Sequence, residues 1–440
     1  YIEQVIIGVQ KNSPAIELIK KETNGILIKS DRDRYIYIFE QRYLEKIKEA
    51  RENIKGVVTK TPLLYSNVFS KGSNNDVYMK CENLQLTGAY KIRGALNKII
   101  SLTEEEKAKG VICSSAGNHA QGVAYASSLL GVKSSIVMPE TTPYLKVEST
   151  KNYGGNIVLH GKCYDDAFIK AKTIEEEEGK VFIHPFNDMD VIYGQGTIAL
   201  EIFEDINNLD YILVPIGGGG LISGVSLAAK SLNPNIKIVG VQAEGAPSMA
   251  LSIQNDKICT LDSVNTIADG ISVKTPGSKT FEIVREYVDE IITVSESDIV
   301  DSFLLLVEKH ELVAETSGVV TLTALKKLKA KNKKVCCILS GGNIDMLTIS
   351  KLINNGLVSK GRLFCFSVEL KNVPGELLKI SEVLAKENAN VVKLEHNQFK
   401  AINRIHNVLL EVTVETNGHE HIEKIINSFE REKYSIKVMY

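Results

Sequence analysis

The sequence predicts an α/β protein built on parallel sheets with helices over both faces, followed by a smaller ferredoxin-like βαββαβ unit. Three observations carry this prediction. From Asp76 to Val241, short strands rich in Val and Ile alternate with helical stretches, the pattern of parallel strands joined by covered crossovers. A strand ending Val214-Pro-Ile216 runs through four glycines, Gly217 to Gly220, into a helix. Beyond Leu352 the pattern changes: Phe364, Phe366, Val368 and Leu370 alternate, as in a strand with one buried face.

Residues 1–40 read as an N-terminal extension to which no function is assigned, although Ile6-Ile7-Gly8-Val9 and Ile26-Leu27-Ile28 are compatible with short strands. Leu44, Ile47 and Ile54 recur at helical spacing, and this helix must end before Thr61-Pro62, because proline biases its predecessor away from the helical region. A strand at 76–81 leads to the loop Gln85-Leu-Thr-Gly-Ala-Tyr-Lys-Ile-Arg-Gly94, and a helix covers 95–102. Further strands are expected at 110–113, 133–138, 156–159, 181–184, 211–216, 237–241 and 335–339, with a helix following His119. A linker is expected after Leu352, through Asn354-Asn-Gly356 and Ser359-Lys-Gly361. The second unit then follows: a strand over 364–370, a helix opened by Pro374-Gly375 and stopped near Asn388, strands at 391–394 and 408–414, a helix lined by Ile422, Ile425, Ile426 and Phe429, and a last strand over 434–440.

Composition narrows the function classes. With 440 residues the chain has room for two or three domains, and a formal charge of -2 gives no electrostatic footprint for nucleic acid or an anionic membrane. Small molecules and further copies of the chain are the expected partners. Seven cysteines lack metal-ligand spacing, Cys336-Cys337 being the only close pair, which points to reduced thiols in a cytoplasm. No apolar run approaches the roughly 18 residues of a membrane helix. The histidines show no pairwise ligand spacing, so His419 and His421 read as helix-end residues and no metal is expected.

Three segments carry chemistry. Gly217 to Gly220, with Leu221 opening the helix, expose backbone N–H groups at a helix N-terminus, which suits an anion; a tight strand–helix turn is the other reading. The dinucleotide and P-loop fingerprints both fail here. Ser114-Ser-Ala-Gly-Asn-His119 offers consecutive N–H groups suited to a carboxylate, or simply a helix cap. Lys91 is one of 52 basic residues, most of them solvated, but a lysine becomes a nucleophile or base where burial disfavours its charge.

The three segments together, in this order and spacing, resemble the fold-type II pyridoxal-phosphate enzymes, and within them the threonine dehydratases, from about Leu44 onward. The resemblance implies a tryptophan synthase beta-like fold of two αβα subdomains, with a catalytic domain over 41–358. Asn372-Val-Pro-Gly375, at the first strand–helix turn of the C-terminal unit, is similar to ACT regulatory domains, implying such a domain over 363–440 that responds to an amino-acid or nucleotide effector, in a homo-oligomer, dimer or tetramer. The resemblance further implies that Lys91 holds pyridoxal 5'-phosphate as an imine, that the glycine run and Leu221 hold its phosphate, that Asn118 bonds its phenolic oxygen, and that Ser340 of Ser340-Gly-Gly-Asn343 faces its ring nitrogen. A hydroxyl cannot keep a proton on that nitrogen as a carboxylate would, which favours elimination over transamination. Ser115 and the backbone of Ala116, Gly117, Asn118 and His119 would grip the substrate carboxylate. The implied reaction converts L-threonine to 2-oxobutanoate and ammonia, with L-serine to pyruvate as a slower companion.

This chain also departs from the family. Ala89-Tyr90 replaces the Ser-Phe that precedes the family's lysine. Gln242 and Ser248 stand where some relatives carry the Glu and Asp of a divalent-ion site. Ala116 stands where the racemase branch has a serine that returns a proton. Asp269-Gly270 and Glu315 match the family without an assigned role.

Overall fold

The protein is described from a computed structural model covering residues 32–397 and 406–439, with side chains from Arg42 onward. The expectations at 6–9, 26–28 and Tyr440 lie outside the described residues. The strands are β1 (Leu63–Tyr65), β2 (Asp76–Cys81), β3 (Val111–Ser114), β4 (Ser134–Met138), β5 (Asn156–Leu159), β6 (Val181–Phe182), β7 (Tyr211–Pro215), β8 (Lys237–Ala243), β9 (Glu290–Val294), β10 (Lys334–Leu339), β11 (Leu363–Lys371), β12 (Asn390–Asn397), β13 (Asn407–Glu415) and β14 (Ile436–Val438). The described residues separate into two compact units, one of those up to Glu296 with Ala314–Asn343, the other of Ser297–Val313 with those from Ile344 onward.

The first unit holds two sheets. The larger has the order β1-β2-β10-β7-β8-β9 and is parallel apart from β1, which runs against β2 at the edge. Ile212, Val214 and Ile338 from this sheet share one core with Ile198, Ile202, Ile222 and Val225 of the helices Met189–Asp205 and Gly220–Leu232. The smaller sheet, β5-β4-β3-β6, is wholly parallel. Its successive side chains enter different cores: Cys113 and Ile136 pack with Ala120 and Val123, whereas Ile112 and Val137 pack with Ala167 and Ala171. Alternation of side chains along a strand therefore buries both faces, which is why these strands are apolar throughout.

Two expectations about this unit are corrected. The strand expected over 181–184 stops at Phe182, because the following His184-Pro-Phe-Asn187 turns away. The helix expected from Ala95 begins at Lys91 and ends at Ile100.

In the second unit β12-β13-β11-β14 form an antiparallel sheet. Phe364, Phe366, Val412 and Val414 pack on one face with Ile380, Leu384, Ile425 and Phe429 of the helices Glu376–Lys386 and His419–Arg431. Asn388, at φ 55, stops the first of these helices in the left-handed conformation that asparagine tolerates. The expected linker at 354–356 is instead inside the helix Met346–Ser359. A Cβ at Gly356 would come 3.0 Å from the Leu304 side chain, so this glycine serves close helix packing.

Candidate active site

Each predicted site segment lies at or just beyond the carboxyl end of a parallel strand, where open α/β sheets leave a crevice. Ser115 follows β3, Gly217 follows β7 and Ser340 follows β10. The Lys91 loop follows β2 and is tied to the turn after β10: Tyr90 N–H donates to the Ser340 carbonyl (3.1 Å), Gly342 N–H to the Gly88 carbonyl (2.8 Å), and Asn343 Nδ2 to the Thr87 carbonyl (2.7 Å). Gly88 stands at φ +71, and a Cβ there would fall 2.2 Å from Asn343 Oδ1, so both the conformation and the space require glycine.

Lys91 opens its helix, and the next two side chains anchor it in the core. Ile92 and Arg93 are both fully buried. The Arg93 guanidinium pairs with Glu82 (Nε to Oε2, 2.8 Å) and Glu201 (Nη1 to Oε1, 2.7 Å), and Lys80 also reaches Glu201 (2.6 Å). Two cations and two carboxylates thus neutralise one another around the helix that Lys91 opens. Removing one partner from such a set costs about 3–5 kcal/mol, because it strands the opposite charge. This network escaped the sequence reading; its one signal was an arginine on an otherwise apolar helix face.

Nζ of Lys91 donates to the Pro185 carbonyl at 2.8 Å. Burial pushes its pKa down to about 8, against the pull of Glu315. Burial raises the Glu315 carboxyl to about 7, while the Asn118 hydrogen bond, Lys146 and Lys91 favour its ionised form. Asn118 Nδ2 donates to Glu315 Oε1 (2.8 Å) and Asn118 Oδ1 accepts from Asn343 Nδ2 (2.9 Å). The amide is thereby held through both its nitrogen and its oxygen, with a second N–H to give.

Residues 115–119 form the entry to the helix Asn118–Leu129. Ser115 Oγ accepts the Gly117 N–H (3.3 Å). The His119 ring, to which no role was assigned, is buried, and its Nε2 bonds the Ile183 carbonyl at 2.8 Å. Burial, with Lys91 nearby, lowers its pKa to about 3, so the ring is neutral.

The glycine loop is a cradle closed to side chains. A Cβ on Gly218 would lie 2.4 Å from the Phe186 ring, and one on Gly220 2.8 Å from the Phe186 Cα. Gly219 caps the helix Gly220–Leu232 at φ +99. Gly218, Gly219 and Gly220 are buried, and the N–H groups from Gly218 to Leu221 find no protein acceptor among the described residues. A buried helix start with unpaired donors calls for an anion, and a cofactor phosphate meets that demand. The chain therefore fits pyridoxal phosphate: this loop for the phosphate, Lys91 for the aldehyde carbon, and Asn118 and buried Ser340 for the ring.

Gln242, at the position discounted as an ion ligand, donates to the carbonyls of Ile216 and Ala246 (both 3.3 Å) and accepts the Ala250 N–H (2.8 Å). Ser248 is buried at the start of the helix Ser248–Gln254. Among the described residues no cluster of His, Cys, Asp and Glu is arranged to hold a metal. Pro185 and Phe186 carried no expected role; their signal was the proline directly after the strand expected over 181–184.

Known proteins resemble this chain over most of its length. A family model described as pyridoxal-phosphate dependent enzyme matches residues 54–341. An L-threonine ammonia-lyase of Thermotoga maritima is 45% identical over 397 residues, spanning 90% of this chain and 99% of that protein. Among solved structures, the processed form of threonine deaminase isoform 2 from Solanum lycopersicum superposes with a TM-score of 0.70 at 36% identity, over 76% of this chain and 92% of that one. Maize serine racemase gives a TM-score of 0.68 at 40% identity, over 72% of this chain and 98% of that one. The chain belongs to the pyridoxal-phosphate dependent enzymes, and pyridoxal phosphate is its cofactor.

Proposed function

We propose that the protein is an L-threonine ammonia-lyase, converting L-threonine to 2-oxobutanoate and ammonia, with L-serine to pyruvate as a slower side reaction. The observation that carries this reading is the placement of Lys91: a buried amine of depressed pKa bonded to the Pro185 carbonyl, next to Phe186, which lies against the glycine cradle. The bound cofactor supplies an electron-withdrawing ring that makes the amino-acid Cα proton removable. The chain's own groups do the rest. Ser115 and the N–H groups at the start of the helix Asn118–Leu129 hold the carboxylate, which fixes which face of Cα meets Lys91. The neutral amine of Lys91 takes the Cα proton. Ser340, a hydroxyl, leaves the ring nitrogen without a firm proton, which favours loss of the β-hydroxyl. Substitution Lys91→Ala should abolish both the visible absorption of the bound cofactor and ammonia release from threonine. Full turnover in that variant would sink the assignment.

The second reading, racemisation of serine, is suggested by the likeness to maize serine racemase. Ala116 argues against it, since a methyl group has no proton to deliver to the face opposite Lys91.

The catalytic domain is taken as residues 41–358 and the ACT domain as 363–440, the latter binding an amino-acid or nucleotide effector near Asn372 to Gly375 and pairing with another subunit's copy. The seven cysteines are all free thiols, five of them buried, which suits a reducing cytoplasm.

A further inference from the structure

Between β6 and the helix Met189–Asp205, the residues Ile183 to Asp188 form neither helix nor strand, yet almost every one holds a different piece of the site. The Ile183 carbonyl bonds His119 and the Pro185 carbonyl accepts Lys91 Nζ, each at 2.8 Å. Phe186 lies against Gly218 and Gly220. Asn187 Oδ1 accepts the Lys279 N–H (2.8 Å), next to Thr280, whose hydroxyl bonds the Gly218 carbonyl (2.6 Å). Asp188 caps the helix through the N–H groups of Asp190 and Val191.

An irregular segment needs something to hold its shape, and one side chain within it does so. His184 Nδ1 accepts two backbone N–H groups, from Phe186 (3.2 Å) and Asn187 (2.9 Å). The ring is wedged edge-on between Phe182 (centroids 6.1 Å) and Phe186 (4.6 Å). Only a neutral imidazole with its proton on Nε2 can accept at Nδ1. Burial enforces that state, lowering the pKa to about 4; Lys91, Lys172 and Lys279 push the same way and Asp188 opposes them.

We propose that His184 is a positioning residue for the cofactor site: by accepting the Phe186 and Asn187 N–H groups it folds the 183–188 turn so that the Pro185 carbonyl meets Lys91 and the Phe186 ring braces the glycine loop. Pro185 is the only protein acceptor of Lys91 Nζ among the described residues, so a turn that loosens moves the lysine and the phosphate cradle together. The inference rests on Lys91 being the cofactor lysine, which the Lys91→Ala variant tests on its own through loss of the visible band.

The test compares H184L with H184N in the holoenzyme, reading the cofactor dissociation constant and the pH midpoint of the visible absorption band. Leucine fills the space but accepts nothing, whereas the Asn carbonyl oxygen can take the same two N–H groups, as in an Asx turn. H184L should weaken cofactor binding about tenfold or more and move the midpoint, the cost of leaving buried donors unpaired, and H184N should recover most of both. If leucine and asparagine give the same constant and the same midpoint, whether impaired or normal, the proposal is overturned. Should H184L fail to fold, nitrogen-15 NMR of the wild-type holoenzyme decides: an unprotonated Nδ1 on His184 supports the proposal, and a protonated Nδ1 overturns it.

Discussion

Burial acts in opposite senses on two titratable groups that feel one another's charge, Lys91 and Glu315. It eases loss of the proton from Lys91, whose pKa falls to about 8, and hinders loss of the proton from Glu315, whose pKa rises to about 7. The Glu315 shift has a consequence for stability whose sign is fixed. Below its unfolded pKa of 4.5 the carboxyl is protonated in both states and costs nothing. As pH rises from there through about 7, the folded state retains a proton that the unfolded state has released, so stability falls, by at most about 3 kcal/mol once both states are ionised. Glu315→Gln keeps an oxygen for Asn118 and never ionises. The cofactor-free variant should therefore melt higher than the parent at about pH 8, with the gain vanishing towards about pH 4.5; melting curves that differ equally at both pH values would remove the assigned cause. Ala116 gives a second prediction at this scale. With Lys91 as the only proton carrier at Cα, amino acid recovered after partial turnover of L-serine should contain negligible D-serine. D-serine accumulating at a rate comparable to pyruvate would contradict the role given to Ala116.

At the scale of elements, the site is a set of strand ends whose loops are locked to one another, and the glycine loop shows how. Gly218→Ala places a methyl where the Phe186 ring already stands, 2.4 Å from its edge, with the Phe186 backbone pressed on Gly220 behind it. Either the ring or the loop must shift, so cofactor affinity should drop about tenfold or more while the fold survives; equilibrium titration of the visible band measures it, and unchanged affinity would show that the cradle tolerates a side chain. The strand-to-glycine-to-helix run and the lysine loop were legible in the sequence because residue type there is dictated by the backbone: only glycine fits at Gly88 and Gly219, both at positive φ, whereas a Cβ at Gly117 would meet nothing within 4 Å and that turn was legible from its motif alone. What stayed illegible was what depends on distant partners. Pro185 contributes a carbonyl, which any residue carries. Arg93 is paired with carboxylates 11 and 108 positions away, and Gly356 looked like a linker until Leu304, from another helix, was seen against it. Local pattern encodes strands and turns, whereas pairing between distant side chains decides which charges are buried and which glycines are packing contacts.

For the whole molecule the question is why a site complete within the first unit should be followed by a second. The second unit has its own core and its own unusual turn. There Val373 is 53% exposed, Leu378 is 63% exposed, and Gly375 stands at φ +95 with open space where a Cβ would be. A position that needs glycine for its backbone but not for its packing marks a loop whose conformation is itself the requirement, as at a ligand-binding turn at a helix start. Glu376, first in that helix, is held in place by Lys379 (2.6 Å) and by the Tyr434 hydroxyl (3.1 Å), so the turn is braced from the far end of the domain. Replacing Gly375 by alanine in the full chain should cost only about 1 kcal/mol of stability, through the left-handed backbone. It should nevertheless blunt any response of threonine turnover to isoleucine, valine or adenine nucleotides, because the effector would meet a reshaped turn. Truncation after Lys360 removes the sheet altogether and should abolish that response. Initial rates with and without each effector, for the full chain and both variants, measure it; variants that respond as the full chain does would show that control does not pass through this turn.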